Sequence, residues 1–345
     1  MKSIHFLGIL FLVVGYFAFR VFYPFLGTMT IAILLALATY KFHQYFLAKL
    51  PGRILPSLAS TLVLGVIFFA PLVYIITNAA TFVTHIDFSI LHQTIANFKN
   101  WVEETIKQYH LLSSNIEEYT ADFDINAIIN WILQMATYIG KKSANFLKDI
   151  ILILIFYFFS TLYGKDVLLY LQNIIPFKKE DSLILFENLA GVLGVVFNSI
   201  IATAIFEGIL FGIIAQIYGY NGLMFGILYG FASLVPVVGG VLMWLPLSID
   251  RYFHGDTTGA IVIALYSILV ISIIADTFIK PIIIHYIDRL MLKDTHIQVN
   301  ELLIFFSIVA GLSSYGFWGM IIGPAVITLL ISILNIYPKL ARHAT

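Results

Sequence analysis

Long apolar blocks separated by short polar connectors dominate the chain. They cover residues 4–19, 24–40, 56–76, 149–163, 197–218, 221–250, 257–279 and 301–338. A hydrocarbon core of about 30 Å takes roughly 20 residues of helix, so six of these blocks predict full transmembrane helices. The first two, with Arg20 and Pro24 between them, are near the minimum length and predict a helical hairpin with a short turn. Lys41, Lys49 and Arg53 follow in a basic connector, and Pro56 then opens the third span, where a proline in the first turn costs little.

Two blocks are too long. As straight helices 221–250 would run about 45 Å and 301–338 about 57 Å. The first is broken by Pro236, which removes a backbone donor, and by Gly239 and Gly240, which lower helix propensity. Its arms, 221–235 and 240–250, measure about 22 Å and 16 Å, and neither crosses a bilayer comfortably. The pattern predicts a re-entrant hairpin or a broken helix, whose irregular backbone survives at membrane depth only where protein or a water-filled cavity satisfies it. The second block is interrupted over Gly311-Leu-Ser-Ser-Tyr-Gly316-Phe-Trp-Gly319, with Gly323-Pro324 beyond. There a hairpin and a half-helix followed by a full span both stay open. Gly222-Leu-Met-Phe-Gly226 is like Gly319-Met-Ile-Ile-Gly323. That suits an internally repeated transporter, and it suits equally the small-residue spacing of close-packed membrane helices.

Residues 78–148 read differently. Acidic and basic side chains mix with apolar ones, and Leu91, Ile95, Phe98, Val102, Ile106 and Tyr109 recur at helical steps opposite Lys99, Glu103 and Lys107. An amphipathic extramembrane segment is predicted between the third and fourth spans, with a second helix starting after Asp124. The expected organisation is a three-helix region over 1–77, this segment over 78–148, and a C-terminal membrane region over 149–345 carrying both broken elements.

Composition fixes the class. With 60% hydrophobic and 11% charged residues and a mean hydropathy of +0.96, the chain is an all-α polytopic membrane protein. Nineteen basic and nineteen acidic residues cancel, so no global charge attracts nucleic acid. Cysteine is absent, which removes disulfides and thiol chemistry. The N-terminal run has no small-residue cleavage site after it and is read as a retained helix. Lys and Arg near the span ends favour two re-entrant elements and a cytoplasmic N-terminus.

Candidate chemistry is sparse. Glu207 falls near the middle of the fifth span, where a carboxylate costs about 2.5–3.5 kcal/mol unless protonated or paired. It is read either as a protonated group bonded across a helix interface or as a proton- or cation-handling site. Gly208-x-x-x-Gly212 beside it lets another helix approach closely. Asp276 and Lys280 lie four apart with acid first, the favourable order for a pair, and are read as an interfacial salt bridge or a gate. Contact between Glu207 and Lys280 stays open. Ser233, Ser313, Ser314 and Tyr315 bring hydroxyls to the breaks, where unwound backbone can coordinate an ion or a small polar solute; such hydroxyls also bond their own helix. The chain has no metal-ligand spacing, phosphate loop or hydrolase motif, so neither a cofactor nor an enzyme is expected.

Three strings resemble one family in order and spacing. Leu234-Val-Pro236-Val-Val-Gly239-Gly240 followed by Trp244-Leu-Pro246 is similar to the Pro-x-x-Gly element of the autoinducer-2 exporter family of permeases. Asp276-Thr-Phe-Ile-Lys280-Pro281 resembles its Asp-x-x-x-x-Pro element, and the stretch ending Gly319-Met-Ile-Ile-Gly323-Pro324 its last glycine-rich segment. The likeness is specific over about 200–338 and architectural before that. It implies a transporter of the bacterial inner membrane, a homo-oligomer that exports a small polar signal or metabolite by secondary transport; some relatives are assigned sodium/proton antiport. The charged connector with Arg289, Lys293, Asp294 and His296 departs from the family's Pro-containing one, so no substrate carries over. Three functions are therefore expected to compete: a proton- or ion-coupled exporter, a monovalent cation/proton antiporter using Glu207 and Asp276, and a non-transporting scaffold whose 78–148 segment binds partners.

Overall fold

The computed structural model describes residues 3–84, 125–174, 179–233, 239–291 and 301–341. Among them every regular element is helical. Within the described residues six stretches are long and apolar enough to cross a membrane: His5–Ala38, Ile54–Ile75, Asn145–Tyr170, Leu185–Ile217, Thr257–Leu290 and Leu302–Leu334. The protein is an all-α polytopic membrane protein.

Its N-terminus corrects the expected hairpin. α1 (Ser3–Phe22), a 3-10 turn (Tyr23–Phe25) and α2 (Leu26–Ala38) form one continuous run. Pro24 sits at the start of the 3-10 turn, and Phe22, Phe25 and Leu26 keep right-handed helical dihedrals, so nothing reverses the chain. A missing N–H costs little at a helical first turn, which is why Pro24 punctuates without breaking. The side chains of α1 are exposed along its length, Phe6, Phe11, Phe17 and Val21 among them.

After α3 (Tyr40–Lys49) and a turn at Gly52, whose φ is +74°, α4 (Ile54–Leu64), a π-helical turn (Gly65–Phe69) and α5 (Ala70–Thr84) make the second crossing. α6 (Ile125–Ile174) is helical from the first described residue after 124 and runs unbroken into the next span. The amphipathic helix expected over 91–109 lies outside the described residues. α7 (Lys179–Ile217) contains the fourth span, the block counted fifth in the sequence.

Two compact units interleave along the chain. One comprises 1–67, 148–199 and 284–345, the other 68–147 and 200–283. In the first, Leu35, Ile153, Tyr157 and Leu193 are fully buried, and Thr39 Oγ1 meets Tyr157 Oη at 2.7 Å. This unit also holds α12 (Glu301–Tyr315), a 3-10 turn (Gly316–Trp318) and α13 (Gly319–Ala341). Although 302–334 is apolar throughout, it is not one straight crossing. Gly316, at φ +60°, turns the chain, and α12 and α13 fold onto each other so tightly that a Cβ on Gly311 would overlap Gly319, and one on Gly323 would overlap Ser307. α12 is 15 residues, about 22 Å, while α13 is 23, about 34 Å; only the second is long enough to span. The open alternative thus resolves as a half-helix packed against a full-length helix.

The second unit holds α8 (Gly222–Ala232), α9 (Gly239–Phe253) and most of a long helix made of α10 (Thr257–Tyr266), a π-helical stretch (Ser267–Ile279) and α11 (Lys280–Met291), whose residues from 284 onward belong to the first unit. Asn221 caps α8 by accepting the Met224 N–H at 3.0 Å. Its core gathers Phe211, Ile214, Tyr229, Leu247, Ile263 and Ile271. A Cβ on Gly239 would overlap the Ala232 carbonyl, so the chain reverses between α8 and α9. At their other ends Tyr220 bonds to Asp250. Entry and exit therefore lie together, and 221–250 is a re-entrant hairpin. Pro236, which marked the break in the sequence, lies outside the described residues.

Candidate functional site

The site begins with glycines. Along α7, Ala204, Gly208 and Gly212 present one smooth stripe, and α8 answers with Gly230, Gly226 and Gly222. A Cβ on Gly208 would stand 2.5 Å from the Gly226 carbonyl oxygen, and one on Gly212 2.7 Å from that of Gly222. The two backbones touch, which is how small residues drive association of helices in lipid. Glu207 precedes the central glycine, so the tight pairing fixes the rotation of α7 and with it the direction of this carboxylate.

Glu207 is 1% exposed. Lys280 Nζ donates to Glu207 Oε1 at 3.0 Å and to Asp276 Oδ1 at 3.3 Å. Ser233, at the end of α8, lies close to the Glu207 carboxylate, and its hydroxyl donates to the Gly230 carbonyl at 3.0 Å. Tyr229 stacks on Phe211 with centroids 4.5 Å apart, and its hydroxyl abuts Gly240, where a Cβ would lie 2.7 Å away. One ammonium thus serves two carboxylates of different exposure, 2% for the Glu207 side chain and 43% for Asp276. Glu207 stands ten residues before the end of α7, about 15 Å along the axis and half the thickness of a hydrocarbon core.

The π-helical stretch explains how Lys280 is delivered. Pro281 has no N–H to give to the carbonyl four residues back, and its ring crowds that carbonyl. A wider turn relieves both, and the Lys280 N–H bonds Ala275 O, five residues back. π-Helical insertions of this kind concentrate at functional sites.

Of the residues singled out in the sequence, Glu207, Asp276, Lys280 and Ser233 come together, with Gly239 and Gly240 close by at the hairpin's reversal. The others do not join them. Ser313 and Ser314 are exposed beside the Gly316 turn, and Gly311, Gly319, Gly323 and the buried Pro324 serve helix packing in the other unit. Among the described residues no group of three His, Asp or Glu side chains is placed to hold a metal. Tyr229 and the third glycine layer, Ala204 with Gly230, were missed; Gly230 continues the four-residue spacing of Gly222 and Gly226 and was legible on that ground.

The comparisons with known proteins agree with this architecture. The profile of the AI-2E family transporters matches residues 7–339. A Helicobacter pylori protein, provisionally described as a transport protein, is 35% identical over 337 residues, covering 98% of this chain and 96% of its own. A relative from Aquifex aeolicus with the same description is 23% identical over 229 residues, 63% of this chain and 61% of its own. No solved structure matches. A match over nearly the whole chain, on a polytopic helical fold with a re-entrant hairpin, leaves one assignment: the chain belongs to the AI-2E family of membrane transporters.

Proposed function

We propose that the protein is a secondary transporter of the bacterial inner membrane that exports a small polar molecule in exchange for protons or ions. The observation that carries this reading is the buried Glu207 carboxylate paired with Lys280 beside the reversal of a re-entrant hairpin. A carboxylate at this depth needs a counter-charge or a proton, and Lys280 has a second partner in Asp276 to which it can retire. Protonating Glu207 therefore unlinks α7 from α11 without stranding the ammonium. The Ser233 hydroxyl at the end of α8 is suited to a polar solute.

A second reading, monovalent cation/proton antiport, draws on the same arrangement, since two carboxylates share one ammonium and leave a formal negative charge for a cation to meet. A non-transporting scaffold has no support from the family.

Everted vesicles with a pH-sensitive dye separate the readings. Proton movement on adding sodium or lithium supports antiport. Its absence, together with metabolite profiles of medium and cells that change with the protein and revert with Glu207→Gln, supports export. Profiles unaffected by both deletion and Glu207→Gln would remove the first reading. For orientation, Lys41, Lys49 and Arg53 are taken as cytoplasmic by the positive-inside rule. With the continuous α1–α2 run, this reading has the N-terminus on the opposite face, where the sequence expectation had it cytoplasmic.

A further inference from the structure

A second polar cluster, unused by the transport reading, closes the open end of the hairpin made by α8 and α9. Tyr220 Oη donates to the Asp250 carboxylate. The Arg251 guanidinium lies over two rings, 5.0 Å from the Tyr220 centroid and 5.7 Å from that of Tyr218. Arg251 Nη1 is 3.9 Å from Asp256 Oδ2, and Asp256 Oδ1 accepts the Gly259 N–H at 2.8 Å to cap α10. Gly219, at φ +80°, sits against this guanidinium, and a Cβ on Gly259 would be 2.8 Å from the Tyr218 ring. The strand of chain entering the hairpin, the one leaving it and the start of the next helix are tied at one point.

We propose that this arginine–tyrosine clasp holds the open end of the hairpin shut in every conformer, so that movement is confined to the reversal beside Glu207. The two ends differ in what can undo them. At the reversal a single proton on Glu207 removes the partner of Lys280. At the clasp burial, then Asp250, holds the Tyr220 hydroxyl protonated above its ordinary range. The cation–π contacts, the tyrosine hydrogen bond and the ion pair must also part together, because all of them run through residues 218–220 and 250–256.

The absence of native cysteine allows a direct test that needs no cargo. Ser248, buried on α9 at 8% exposure, lies one residue from Leu247, whose carbonyl Tyr220 Oη approaches at 3.4 Å. Ser248→Cys in native membranes is expected to react slowly with a small maleimide. Adding Tyr220→Phe or Arg251→Gln is expected to raise that rate about tenfold, whereas adding Glu207→Gln, which releases the reversal, leaves it unchanged. Tyr220→Phe removes one oxygen and keeps the ring, so it remains informative where Arg251→Gln fails to fold. A rate that Tyr220→Phe does not raise, or that Glu207→Gln raises as much, overturns the proposal. Either result is independent of whether the protein moves protons, so failure of the clasp and failure of the transport reading stay distinguishable.

Discussion

Replacing Lys280 with Met tests the site most directly. It removes the ammonium 3.0 Å from a carboxylate whose side chain is 2% exposed, and Asp276, itself acidic, cannot take over. If Glu207 then stayed ionised, the uncompensated buried charge would cost about 3–5 kcal/mol. Taking up a proton offers an escape whose cost depends on pH. Bringing a carboxyl of ordinary pKa about 4.3 to its acid form at pH 7 costs about 3.7 kcal/mol, and about 1.4 kcal/mol less for each unit the pH falls. The sign follows from proton counting: the unfolded chain has released the proton and the folded variant holds it, so the variant gains stability as pH falls towards 4.3. Lys280→Met should therefore lose up to about 3.7 kcal/mol at pH 7 and regain roughly 2 kcal/mol by pH 5.5 relative to the parent. Glu207→Gln/Lys280→Met should be more stable than Lys280→Met alone at pH 7, with a coupling of about 2 kcal/mol or more. Denaturant unfolding in detergent micelles at both pH values reads each quantity. A pH-independent loss below about 1 kcal/mol, with no recovery in the double variant, would refute the view of Glu207 and Lys280 as a buried, mutually dependent pair.

Three further outcomes follow from the packing. Gly208→Ala places a Cβ 2.5 Å from the Gly226 carbonyl where ordinary contact begins near 3.4 Å, so α7 and α8 must part, and thermal unfolding should show a loss of about 1–3 kcal/mol; Gly27→Ala, which meets nothing within 4 Å, should show none. His43 is buried on α3, its Nδ1 2.9 Å from Ser60 Oγ, whose hydroxyl already donates to Pro56 O at 3.0 Å, so the ring nitrogen is the donor. Burial pushes this imidazole below its ordinary 6.5; the unfolded chain protonates first, and stability should decline as pH falls below about 6.5, a decline that unfolding of His43→Gln should lack. Single cysteines at 49 and 251 should label from opposite faces of the membrane, 251 from outside, and a cytoplasmic 251 would contradict a re-entrant 221–250.

How much of this was legible depended on whether the signal was local. Block length alone exposed both overlong runs, because helical rise and bilayer thickness are fixed, and it led to the re-entrant hairpin. The same reasoning failed at Arg20 and Pro24. Both looked like punctuation, but a proline at the start of a helical turn forfeits only a bond that the turn does not make, and the run continued. Glu207 stood out because a charge at bilayer depth is expensive. Lys280 stood out as well, but its contact with Glu207 stayed open, since it lies 73 residues further on and reaches the carboxylate through a π-helical stretch that no hydrophobic period announces. The clasp was invisible for a related reason: Tyr218, Tyr220, Asp250 and Arg251 each read as ordinary span-end residues, and only closure of the hairpin brings them together.

The likeness between Gly222-x-x-x-Gly226 and Gly319-x-x-x-Gly323 now has a physical meaning. In each unit the second-arm pair seats on a small-residue pair of the first arm, Gly212 and Gly208 in one case and Gly311 and Ser307 in the other. Each turn between the arms carries a left-handed glycine, Gly219 or Gly316. Laid over one another in that register, the α7–α8 and α12–α13 pairs place Glu207 opposite Phe306, a buried carboxylate opposite an aromatic ring that is 62% exposed. The backbone device is used twice and the charge once. Glycine spacing in this chain therefore reports how closely two helices approach, and not where chemistry occurs. The residue preceding the stripe distinguishes the two helix pairs, and under the proposed function that difference assigns the proton-handling step to the unit of Glu207, while the α12–α13 pair contributes its shape.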